Sequence, residues 1–117
     1  MSAWCTPPHG SRLHWEAGTA ENVAIVDWLC SRVYAVLGRV EPALYHARWC
    51  LMRAESAGLP GWIHAEGHEA LARAHAVAGD GGDARRHADE ARAIASTIED
   101  DEDREVVLGD LATLPLK

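Results

Sequence analysis

Seven histidines and three cysteines are the residues in this chain best able to hold a metal or drive nucleophilic chemistry. His64 and His68 stand four apart in "WIHAEGHEALARAH", as do His46 and Cys50 in "YHARWC". On a helix that interval puts both donors on one face, and two such pairs supply the four ligands of a tetrahedral site. No CxxC or HExxH accompanies them, and Cys50 has a plainer reading as a compact buried hydrophobe. For catalysis the sequence offers one assembly: Cys30 as nucleophile, His46 or His75 as base, and Asp27 or Glu69 to orient it. Cys30 falls in an apolar row where a thiol is inert, so no catalytic residue and no cofactor is assigned.

These residues sit in a chain of 117, enough for one domain with a real core. It is 48% hydrophobic and 25% charged, with no phenylalanine, which suits helices with closely approaching axes. Eighteen acidic against eleven basic side chains give a net charge of −7, the wrong sign for neutralising phosphates, so nucleic acid is not an expected partner. No apolar run reaches the roughly 18 residues of a membrane span. The start, "MSAWCTPPHGSR", lacks the basic and apolar regions of a secretory signal. The three cysteines form no disulfide pattern, and the expectation is a soluble, cytoplasmic protein with reduced thiols.

The pattern predicts an all-α fold of about five helices. Residues 1–18 form a strap or short helix whose Trp15 docks on the first hairpin. Thr19 caps a first helix with an apolar stripe of Val23, Val26, Cys30, Val33, Tyr34 and Leu37, ended by Gly38. Pro42 opens a second helix, with Leu44, Ala47, Leu51 and Ala54 on one side and Tyr45, Trp49 and Met52 on another, both expected to meet neighbours. Together the two helices make that hairpin, over residues 20–58. A second hairpin, 62–98, joins a helix weakened at Gly67 to one capped by Asp83, with a slim stripe of Ala84, Ala88, Ala91 and Ala95. The acidic run Glu99 to Asp103 then starts a capping helix over 100–114, with Val107, Leu108, Leu111 and Leu114 as its apolar set. The "RRHADEAR" run reads as a solvated face with pairing along the helix.

Aligning Gly38 on Gly79 superposes Ala43 on Ala84, Ala47 on Ala88 and Cys50 on Ala91, all at an offset of 41. With Ser31 and Tyr34, this pattern resembles the tetratricopeptide repeat, in which small residues stand where paired helices touch and a glycine precedes the turn. The second copy departs from it in carrying His75 at the aromatic position, and an offset of 41 exceeds the roughly 34-residue standard unit. "SRVYAVLGRVEPALYHA" and "EALARAHAVAGD" also resemble a group of small bacterial helical proteins, a likeness that carries no activity.

The repeat resemblance implies a right-handed stack whose first helices line a concave face for a peptide or partner helix. Here that face would carry Ile25, Trp28, Leu29, Arg32 and Val36, with Glu66, Glu69, Arg73 and Val77 opposite. Trp28 and Arg32, one turn apart, have the composition of an interface anchor. The expected function is therefore a protein-interaction adaptor or regulatory module, with a peptide, a helix or a second copy as homodimer partner. The alternative is a small metal-binding or catalytic protein using His46, Cys50, His64 and His68.

Overall fold

The computed structural model describes residues 12–116, with side chains from residue 19 onward. Five helices follow one another: α1 (Arg12–Val36), α2 (Val40–Ser56), α3 (Gly61–Val77), α4 (Gly81–Ala95) and α5 (Asp101–Ala112), with no strand among the described residues. None of them is long and apolar enough to cross a membrane.

Three glycines make the sharp stops. Gly38, Gly58 and Gly79 have φ of 75°, 61° and 82°, a left-handed geometry that other residues adopt only with strain. Each lets the next amide reach back to a carbonyl five residues earlier: Arg39 to Tyr34 at 2.8 Å, Leu59 to Ala54 at 3.0 Å and Asp80 to His75 at 2.9 Å. Gly38 and Gly79, equivalent in the 41-residue alignment, thus close their helices in the same way.

Starts are set less as expected. α1 begins at Arg12, so Thr19 lies inside it; the helix formers Glu16, Ala17, Ala20 and Glu21 carry it across Gly18. Part of the expected strap, residues 12–18, is therefore the beginning of α1, and residues 1–11 lie outside the described residues. The cap of α4 is Asp80 rather than Asp83: its carboxylate accepts from the Asp83 amide at 3.3 Å. Asp100 caps α5 in the same manner at 2.9 Å, and Asp101, Glu102 and Asp103 fill the first turn.

Partners on α2 recede as α1 advances: Asp27 meets Arg53 and His46, and Ser31 meets the Ala43 carbonyl at 2.8 Å, so the two helices are antiparallel. α2 lies against α3, α3 against α4, and α5 crosses α3 and α4. The close approaches rest on small residues. Ala43, Ala47, Ala84, Ala88, Ala91, Ala95 and Cys50 are all fully buried. Gly67 marks the tightest crossing, where a Cβ would stand 2.9 Å from the Cα of Leu51; the glycine that weakens α3 as a helix is what lets α2 lie on it. At the far end Val107, Leu111 and Leu114 of α5 and its tail join Ala65, Ala72, Ala88, Ala91 and Ala95 in one cluster.

Parts of two expected apolar stripes face outward, although Tyr34 packs on the Ala35, Ala43 and Ala74 cluster. On α1 the buried positions are Ala24, Asp27, Ser31 and Ala35, whereas Val26, Val33 and Leu37 are exposed. The helix is apolar on nearly every side, and the small residues, not the larger valines, permit the contact with α2 and α3. On α2, Tyr45, Trp49 and Met52 stay largely open while Ala43, Ala47, Cys50 and Ala54 are buried. Leu108 of α5 is also exposed.

Candidate functional site

The residues expected to line a concave face do converge, but mostly on each other. α5 lies over the side of α3 that carries Glu66, Glu69 and Arg73, and these are 2%, 1% and 9% exposed, closed to a partner. The Trp28 indole N–H donates to Glu69 Oε1 at 2.9 Å, between residues equivalent in the repeat. Arg73 Nε donates to the other Glu69 oxygen at 3.0 Å, and its Nη2 donates to Thr113 Oγ1 at 2.7 Å and the Asp110 carbonyl at 3.2 Å. Arg32 lies 5.6 Å from the centre of the Trp28 ring and donates to Asp110 Oδ1 at 3.1 Å. Trp28 and Arg32 are thus engaged within the chain rather than free anchors. A sequence motif had no means of showing that α5 would bring Asp110 and Thr113 to them.

Glu66 belongs to the same cluster. Burial, with a hydrogen bond to Asp110 and the nearby Glu69, pushes its carboxyl up to about 10. Neither Glu66 oxygen has a hydrogen-bond donor, in keeping with a carboxyl that is neutral at pH 7. Burial also works to raise Asp110, but the bonds from Glu66 and Arg32 outweigh it and hold the carboxyl below its usual range. Glu69 is raised by burial, partly offset by Arg73 and Trp28. This arrangement resembles a catalytic pair of carboxyls, yet Glu66 is buried and Asp110 is tied to Arg32, and the cluster joins α1, α3 and α5.

What stays open is a cleft of about 200 Å³ lined by Ala35, Val36, Arg73, Val77, Thr113 and Pro115, together with the outer face of α1. Leu29 is 48% and Val36 78% exposed; Ile25 is half-buried against the Ala24, Cys50, Ala54 and Ile63 cluster. Val26 and Val33, expected in the core, complete this outer face at 55% and 58% exposure.

The metal set His46, Cys50, His64 and His68 does not assemble. His46 Nδ1 donates to Asp27 Oδ1 at 2.8 Å, while Arg53 holds the other oxygen at 2.9 Å. Cys50 is sealed in the core, where burial, reinforced by Asp27, pushes its thiol up to about 12. Asp27, one of the two residues expected to orient a base for Cys30, is committed to His46 and Arg53. His64 Nε2 lies 3.5 Å from Glu55 Oε2 of α2, whereas His68 faces α4, its Nδ1 3.0 Å from His87 Nδ1. His87 was absent from the expected set because its partner lies 19 residues away on another helix. Among the described residues, the group of three with the closest metal-ligand geometry is His75, Asp80 and Asp83, whose donor atoms lie within 4.8 Å of one another. Capping of α4 and the Arg86 contact to Asp83 at 2.7 Å account for its two carboxylates.

Comparison with protein-family models, with curated proteins and with solved structures finds no match.

Proposed function

We propose that the chain is a protein-interaction module, two tetratricopeptide-like helix pairs closed at one end by α5, that works by pairing α1 with α1 of a second copy. One observation carries this reading: Val26, Leu29, Val33 and Val36 form an exposed row on the side of α1 opposite Ala24, Asp27, Ser31 and Ala35. Their spacing of three, four and three is the seam spacing of paired helices. It also reads the same in both directions. An antiparallel two-fold arrangement therefore sets Val26 against Val36 and Leu29 against Val33, as a self-complementary interface requires.

Charge supports the same occupant. The chain carries −7, but α1 has only Glu16, Glu21 and Asp27 against Arg12 and Arg32, so two copies meet there with little repulsion. The thiols of Cys30 and Cys50 are free, in keeping with a reducing compartment such as the cytoplasm.

Light scattering across a concentration series tests this. Wild type is expected to be a dimer, and Leu29→Glu/Val33→Glu a monomer of unchanged helicity. A wild type that stays monomeric up to its solubility limit, or a double variant that stays dimeric, would overturn the reading.

A further inference from the structure

The α3–α4 seam carries a row of imidazoles that neither the core nor the outer face of α1 uses. On α3, His64, His68 and His75 share one edge at helical spacing; on α4, Asp83, His87 and Glu90 do the same. His87 stands between two of them. Its ring centre is 5.3 Å from that of His68 and 5.6 Å from that of His75, and His64 follows 5.5 Å beyond His68. The fully buried Ala72, Ala84 and Ala88 bring the two helices near enough for this.

We propose that His68 and His87 are ligands of a divalent transition-metal ion, with His64 and Glu90 as the donors that complete the site. A metal about 2.05 Å from two nitrogens holds them about 2.9 Å apart at a right angle and about 3.3 Å apart at the tetrahedral angle. The Nδ1 separation of 3.0 Å falls between these values.

The remaining donors come from the same two edges. His64 Nε2 is buried without a hydrogen-bond partner, its nearest charged group being Glu55 Oε2 of α2 at 3.5 Å, so its ring has to turn away from α2 to join the pair. Glu90, about one turn from His87, lies on the same edge of α4. Two donors from each of two facing helices is a recurrent way to build a metal site between helices. Imidazole with one carboxylate suits zinc, nickel or copper rather than calcium or magnesium. Such an ion clamps α3 to α4 and leaves α1 free, so the site does not depend on the dimer.

Calorimetric titration of untagged chain with Zn²⁺ alone, and with Ni²⁺ alone, at pH 7.5 is the test. One ion per chain is expected. Loss of a ligand should exceed the roughly tenfold to hundredfold loss seen when an outer partner of a metal site is removed. His68→Ala and His87→Ala should both show this, with His75→Ala unchanged. His87→Gln, which keeps the volume, and circular dichroism of each variant separate metal loss from misfolding. Wild type that binds neither ion, binding that survives His87→Gln, or a loss confined to His75→Ala would overturn the site.

Discussion

α5 and α1 lie at opposite ends of the series of helices, and each presents an apolar row. On α5 the row of Val107, Leu111 and Leu114 is covered by α3 and α4; on α1 the row of Val26, Leu29, Val33 and Val36 is open. Composition does not separate the two, since both rows are valine and leucine. The polar residues do. α5 also supplies Asp110 and Thr113, which match Arg32 and Arg73, so its docking is directional and its position unique. The α1 row has no such polar complement, and its order is symmetrical. A series of repeats leaves an apolar end that something must cover. One end is covered by the chain itself, and we assign the other to a second copy.

The largest expected effect lies in the polar joint. Glu69→Ala removes the partner of a nearly buried arginine and of the Trp28 N–H; loss of one member of a buried pair costs about 3–5 kcal/mol. Denaturant unfolding is the measure, and a loss under about 1 kcal/mol would mean that α5 is held by its apolar row alone.

The two rows can be compared directly by truncation. Leu111→Ala should cost about 2–4 kcal/mol, because it opens a cavity against α3 and α4. Val33→Ala, at a dilution where the chain is monomeric, should stay within about 0.5 kcal/mol. Equal costs would erase the distinction between the ends.

Glu66 sharpens the comparison through pH. Its carboxyl, normally near 4.5, is pushed to about 10 in the folded chain. The folded state therefore holds more protons than the unfolded between those limits, and the contribution of Glu66 is lost as pH rises through that window. Glu66→Gln keeps a donor toward Asp110 and cannot ionise. Relative to wild type it should gain stability between about pH 5 and pH 9, by on the order of 1 kcal/mol per pH unit. A pH-independent difference would mean that Glu66 is ionised or hydrated.

Much of this fold was legible in local chemistry. Gly38 and Gly79 end helices because positive φ is a property of the residue itself, and the alanines at an offset of 41 are buried because only small side chains fit where axes meet. The orientation of α1 was not legible. With valines, leucine and isoleucine distributed around it, apolar periodicity offers no contrast between faces, and the small residues Ala24, Ser31 and Ala35 made the decisive contacts. The contact of Trp28 with Glu69 could be anticipated from the alignment at an offset of 41, which superposes the two. The closure over Arg32 and Arg73 could not, because it depends on Asp110 and Thr113, separated from Arg73 by an entire helix. For the histidines, spacing found the His64 and His68 pair but not the contact of His68 with His87, since nothing in their own segment points to it.

The most direct test of α1 self-pairing is sedimentation equilibrium on a charge pair in its exposed row. Antiparallel pairing sets residue 26 against residue 36 of the second copy. Val26→Lys alone should therefore give monomer, and Val26→Lys with Val36→Glu in the same chain should restore the dimer through two opposed pairs, weakened by added salt. A Val26→Lys protein that remains dimeric, or a double variant as monomeric as the single one, would contradict the pairing of α1 with itself.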